Sequence, residues 1–190
     1  MNVYDFDKTV FLHESSSMFF LFCAKRRPKA LLNLPKAGLY GLLRALRLCS
    51  LTRFKEAFHG YLRYVPDAAV LAEAFWDLHK EDIPRWLPPL LPKGGLVISA
   101  SPEFLVAPMC RRLGLSCMGT RMDIHTGHID GENCRGSEKP RRFRERYPDA
   151  PVDVFYSDSL ADSPMAALSR EAWLVHGHDL SPWPKETQNG

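Results

Sequence analysis

Leu96-Val97-Ile98-Ser99 (LVIS), introduced by Gly94-Gly95 and followed by Ala100-Ser101, is apolar at every position until it ends on a small hydroxyl residue. A strand with one wet face alternates, so an unbroken apolar run of this length indicates a strand covered on both faces, as in parallel sheets flanked by helices. Working outward, residues 2–6 (NVYDF) read as an opening strand, 152–156 (VDVFY) as a second buried strand and 173–176 (WLVH) as another. Helical patterns over 102–113, 140–147 and 164–169 separate them, with a strand and hairpin over 118–131. Strands alternating with helices predict an α/β fold built on a Rossmann-like parallel sheet.

Between the first strand and LVIS the pattern is almost wholly helical. Residues 17–24 begin a helix for which Ser15 or Ser16 is the expected cap. Leu39, Leu42, Leu43 and Leu46 recur at helical spacing with Arg44 and Arg47 alongside, and a further helix is expected over 67–79 with Leu71, Phe75 and Leu78 on one stripe. Pro84, Pro88, Pro89 and Pro92 place four prolines in nine residues, which marks a boundary because each removes a backbone donor and fixes φ. The expected division is therefore a core of residues 1–12 and 88–190, with residues 13–87 as an inserted helical cap. The tail from about residue 179 shows no periodicity and is expected to be loosely ordered.

Composition narrows the class. The chain has 190 residues, 45% hydrophobic and 25% charged, which suits one globular domain with a modest insertion and excludes a disordered chain, a collagen or a disulfide mini-scaffold. Five cysteines, Cys23, Cys49, Cys110, Cys117 and Cys134, form no CxxC pair, and no secretory leader precedes VYDF. They read as reduced thiols in a cytoplasmic protein. The net charge of +3 is unevenly placed: no acid stands between Glu14 and Glu56, where nine lysines and arginines do. That segment is either a solvated face or a surface for an anionic partner such as a phosphate, a lipid headgroup or nucleic acid. No apolar run is long enough to span a bilayer, although one could lie on it.

Four features fall at strand ends, where open α/β sheets place their ligands. Asp5-Phe6-Asp7-Lys8-Thr9 carries two carboxylates spaced by two. Ser99, Ala100 and Ser101 offer a hydroxyl and free amides to an anion. Lys139 in Gly136-Ser137-Glu138-Lys139 opens a helix, and Asp158 and Asp162 follow the strand over 152–156. Each alone reads as an ordinary helix cap, loop acid or surface lysine. Together they supply the acids for a hard cation and the hydroxyl, amides and ammonium that hold a transferring phosphoryl group.

In this order, DFDKT, VISAS, GSEK and YSDSLAD resemble the motifs of the haloacid dehalogenase superfamily of phosphatases, and its phosphoserine-phosphatase-like branch in particular, over the chain to about Gly177. The resemblance implies Asp5 as nucleophile and metal ligand, and Asp7 as general acid and base with its carbonyl on the metal. It implies Ser99 with Ala100 and Ser101 as phosphate ligands, Lys139 as partner of the nucleophile, and Asp158 as a direct Mg²⁺ ligand. Asp162 would support the metal's water or bind Lys139. Lys8 stands where the family most often has glycine.

Substrate is less determined. Glu14, nine residues after Asp5, stands where phosphoserine phosphatases recognise the amino acid, but it reads equally as an acid at the start of a helix. The arginine those enzymes carry in the cap has no counterpart in register, Arg63 being the nearest. The basic, leucine-rich segment resembles instead that of phosphatidylglycerophosphate phosphatases, which implies a lipid or amphiphilic phosphate and peripheral contact with an anionic membrane on its inner face. The same leucines would otherwise close the cap's own core. Two alternatives of another class are nucleic-acid binding through the basic cap and the cluster Lys139 to Arg146, which no basic and aromatic platform accompanies, and an idle regulatory protein on the same fold, which would normally lose a motif acid where here all are present.

Overall fold

A computed structural model describes residues 1–184, without the side chains of Pro92 and Lys93. Its strands are β1 (Val3–Tyr4), β2 (Leu96–Pro102), β3 (Ser116–Thr120), β4 (Val152–Ser157), β5 (Ser169–His176) and β6 (Asp179–Pro182), in one sheet of order β3-β2-β1-β4-β5-β6. The first five are parallel and β6 is antiparallel to β5. The fold class read from LVIS is thus met. Chain order runs outward from β1 in both directions, so β1 between β2 and β4 is the switch point where such sheets open a crevice at their carboxyl ends.

Side chains alternate across this sheet and both faces are covered. Tyr4 and Val97 join Phe6, Phe11, Phe75 and Trp76 on one face, while Val3, Leu96 and Ile98 meet Phe143, Phe155 and Met165 on the other. Full burial of an aliphatic side chain of this size stabilises by roughly 1.5–3 kcal/mol, which explains the unbroken apolar run.

Four helices lie between β1 and β2: α1 (Ser15–Arg26), α2 (Leu34–Ala45), α3 (Leu51–His59) and α4 (Ala68–His79), joined in part by 3-10 turns. Helix α4 packs on the turn after β1 through Trp76, which meets Phe11 at 4.9 Å and Phe6 at 5.5 Å, and α1 packs on α4 through Phe19 and Phe75 at 5.7 Å between ring centres. Trp76 Nε1 fastens α4 to the core by donating 2.6 Å to the carbonyl of Leu105. The core helices are α5 (Glu103–Arg112), α6 (Glu138–Arg146) and the short α7 (Ser163–Ala166). No helix among the described residues is long and apolar enough to cross a membrane.

Several expectations need correction. The opening strand ends at Tyr4, because Thr9 and Phe11 both donate backbone hydrogen bonds to the Phe6 carbonyl and curl the chain into a turn. The cap position of α1 is held by Glu14, not by Ser15 or Ser16, and its side chain accepts no capping bond. Leu78 is exposed and Trp76 is buried in its place on α4. The tail is ordered further than expected: residues 179–182 pair with β5 and Trp183 packs 5.9 Å from Phe155, while residues 185–190 lie outside the described residues. The leucines of α2 do not close a core, since Ala37 is that helix's buried residue while Leu39, Leu42 and Leu46 face outward.

Candidate active site

The crevice at the carboxyl ends of β1, β2 and β4 is a cavity of about 420 Å³. Asp5 and Asp7 enter it from the turn after β1, Ser99, Ala100 and Ser101 from β2, Lys139 from α6, and Asp158 and Asp162 from the segment after β4. All eight core positions singled out in the sequence therefore line one cavity. Glu14 lines it too.

The turn that presents the acids needs unusual backbone. Lys8 adopts φ of 55°, the left-handed region that favours glycine, and its side chain is held 2.8 Å from Glu14 Oε1. Here lysine fills the position that glycine commonly occupies in the family.

Lys139 is the electrostatic centre. Its Nζ lies 2.5 Å from Asp5 Oδ1 and 2.6 Å from Asp162 Oδ2, and the side chain is 1% exposed. Burial alone would lower its pKa, but the two carboxylates more than offset this and hold it above the ordinary lysine value. The Asp5 pKa is raised as well, but here by burial, which pushes its carboxyl up to about 7 against the pull of Lys139, with Asp162 and Asp7 adding repulsion. Asp162 also accepts 2.8 Å from Ser157 Oγ, so of its two implied tasks it is built for holding Lys139.

Asp7 is raised by burial as well, moderated by hydrogen bonds from Ser101 and Ser15. The Ser101 hydroxyl donates to Asp7 Oδ2, and the amide of Ser15 donates 2.7 Å to Asp7 Oδ1. Ser101, expected as a phosphate ligand, is here a partner of Asp7. Ser99 is fully buried and its Oγ accepts 3.0 Å from the Ser101 amide, which fixes the bend at the end of β2. Ala100 turns its carbonyl to Thr120 Oγ1 at 2.7 Å.

Sequence reasoning missed Lys55, counted there only among the cations of the insertion. From α3 it reaches the core, its Nζ donating 2.9 Å to the Ala100 carbonyl and 2.8 Å to Asn133 Oδ1. Burial pushes its ammonium down to about 8. One turn later the buried His59 bonds through Nδ1 to the Lys55 carbonyl, and burial lowers it to about 4. Spacing from an acid-free run could not single out these two, because what sets them apart is that α3 stands over β2. Arg63 lines a different cavity.

No group of three histidine, cysteine or carboxylate side chains among the described residues is already gathered as a metal cage. The donors nevertheless fit a hard cation that keeps several waters. Asp5, Asp7 and Asp158 border the same cavity, and Asp158, raised by burial, has no side-chain partner among the described residues. Thr9 Oγ1 steadies its backbone by accepting 3.0 Å from the Asp158 amide.

A switch-point crevice holding a carboxylate pair after β1, a lysine bridging Asp5 to Asp162 after β4 and helices inserted between β1 and β2 is the arrangement of the haloacid dehalogenase class. The chain belongs to the haloacid dehalogenase-like hydrolase family, whose model matches residues 3–167. It is 37% identical over 83 residues to Protein CicA of Caulobacter vibrioides (strain NA1000 / CB15N), a match covering 40% of this chain and 37% of that protein. The chain thus spans little more than a third of that relative's length. Among solved structures it is similar to a protein of unknown function from Bordetella pertussis Tohama I, with a TM-score of 0.71 and 16% identity over 90% of this chain and 87% of that one. It is also similar in fold to a phosphoserine phosphohydrolase-like protein from Francisella tularensis subsp. tularensis SCHU S4, with a TM-score of 0.58 and 14% identity over 94% and 88% of the two chains.

Proposed function

We propose that the chain is a Mg²⁺-dependent phosphomonoester phosphatase working through an aspartyl phosphate on Asp5. The observation that carries this reading is the placement of Lys139 between Asp5 and Asp162, which occupies Oδ1 of Asp5 and leaves Oδ2 as the oxygen to attack phosphorus. A P–O bond forms at Asp5 as the ester P–O bond breaks, and Asp7 donates its proton to the departing alkoxide. Burial keeps the protonated form of Asp7 accessible. Its carboxylate then takes a proton from water, which attacks phosphorus and releases Asp5. Ser99 and the Ala100 amide would hold the phosphoryl oxygens, and Lys139 offsets their charge.

Asp5, the carbonyl of Asp7 and Asp158 are the proposed Mg²⁺ ligands, with Asp162 acting through Lys139. The cation would supply charge neutralisation at the phosphoryl oxygens.

For the substrate we favour a lipid or amphiphilic phosphate, with phosphoserine or another small metabolite as the alternative. Two observations support that order. Glu14 lines the cavity but is already paired with Lys8, and Arg63 is absent from it, so the two groups expected to grip an amino acid are not brought together there. Peripheral residence on the inner face of an anionic membrane accompanies this reading.

The test is Mg²⁺-dependent phosphate release from phosphatidylglycerophosphate in mixed micelles, beside phosphoserine and an aryl phosphate. Preference for the lipid with loss of turnover in EDTA is expected. Preference for phosphoserine would make Glu14 a substrate ligand, and no release from any of the three would overturn the phosphatase reading.

A further inference from the structure

Helix α2 is turned the opposite way from an ordinary amphipathic helix. At about 100° per residue, Pro35, Leu39, Leu42 and Leu46 form one stripe, and Ala37 and Gly41 lie across the helix from it. The small residues face the protein: Ala37 is buried, and a Cβ at Gly41 would stand 3.6 Å from the Phe54 ring. The leucines face outward, with Leu31, Leu32, Leu34, Leu39, Leu42, Leu46 and Leu48 between 45% and 69% exposed. Isolated exposed leucines are common, but seven within eighteen residues, three of them on one stripe, are a dense run of exposed apolar side chains.

Beside this stripe is a second cavity, of about 230 Å³, between α2, α3 and the turn near His128. Lys36, Arg53 and Arg63 line it, and none of the three forms an ion pair among the described residues. Its one acid, Glu56, is engaged already: Oε1 lies 2.7 Å from His128 Nδ1 and accepts 3.0 Å from the Ile129 amide. The cavity is therefore a cationic recess with room for an anion, at the flank of an exposed apolar helix.

We propose that α2 docks the protein on an anionic bilayer, with its leucine stripe in the interface and Lys36, Arg53 and Arg63 receiving a phospholipid headgroup phosphate. Charge selects this occupant. A second copy seated on the same face would bring two surfaces together whose one recess acid, Glu56, is already engaged and whose free charges are cationic, which repel, whereas an anionic lipid surface supplies both hydrocarbon and compensating charge. Helix α3 carries Arg53 into this recess and, two residues on, Lys55 into the catalytic cavity, so docking also fixes which way that cavity faces. Vesicle binding does not depend on the phosphatase reading, and the two fail separately.

The full chain is sedimented with phosphatidylcholine vesicles and with mixed phosphatidylcholine and phosphatidylglycerol vesicles. Binding to the mixed vesicles alone is expected. A Leu39→Ser/Leu42→Ser/Leu46→Ser variant should bind them at least about tenfold more weakly. Lys36→Gln/Arg53→Gln/Arg63→Gln should weaken binding roughly a hundredfold at low salt. Thermal unfolding of both variants should match the parent, because the leucines are exposed and the three cations make no ion pairs. Wild-type protein left in the supernatant, or leucine-variant protein that pellets as the wild type does, would overturn the proposal. So would a concentration-dependent dimer in sedimentation equilibrium that the leucine substitutions abolish, since the occupant would then be a second copy.

Discussion

Lys139 Nζ lies 2.5 Å from Asp5 Oδ1, joining α6 to the turn after β1 in an ion pair almost wholly shielded from water. Desolvating two charges is expensive, and the pair is stable only because Asp162 and Ser157 extend it into a connected network. The network fixes Asp5 in one rotamer.

Replacing the proposed nucleophile keeps this shape and removes the chemistry. Asp5→Asn should lower turnover by about a thousandfold or more while circular dichroism stays unchanged. Activity near wild type in that variant would rule out an aspartyl phosphate at Asp5.

Removing the cation has a different signature. Lys139→Met leaves two buried carboxylates facing each other and should cost about 3–5 kcal/mol of stability in urea unfolding. Adding Asp162→Asn should recover part of that loss, because one of the unpaired charges goes with it.

His59 makes stability depend on pH. It is buried and lowered to about 4, so below the ordinary histidine value near 6.5 the unfolded chain takes up a proton that the folded chain refuses. The contribution of neutral His59 is complete above pH 6.5 and is lost as pH falls toward 4. A His59→Gln variant should show a flatter dependence over that window, measured by urea midpoints; an unchanged slope would assign it to other groups.

Gly127 joins the turn after β3 to the end of α3. Its φ is +75°, and an added Cβ would stand 2.4 Å from the carbonyl oxygen of His59, an atom that cannot swing aside. Gly127→Ala should therefore cost about 3 kcal/mol, against about 1 kcal/mol for Gly114→Ala, where φ is +69° and nothing lies within 4 Å. Equal thermal shifts for the two would show that the turn can yield.

How far the sequence reached follows from which signals are local. The double-faced burial of LVIS and VDVFY is written in consecutive residues, and the acid pair, Ser99, Lys139 and Asp158 stand at strand ends that those runs locate. Their gathering into one crevice then follows from parallel topology. Strand β6 was not legible, because its residues become strand-like only by pairing with β5. Ser101 could not be assigned to Asp7 from sequence either, since 94 positions separate them and the contact exists only where β2 lies beside β1.

By itself, then, the sequence determined the parallel part of the sheet, the order of its motifs and the acids at its strand ends, because periodicity and strand-end placement are properties of short segments. Tertiary structure alone decided which face of α2 is packed, which of the insertion's cations enters the cavity and which carboxylates Lys139 bridges. Helical spacing says that leucines share a side of a helix, but only neighbouring elements make that side the inside.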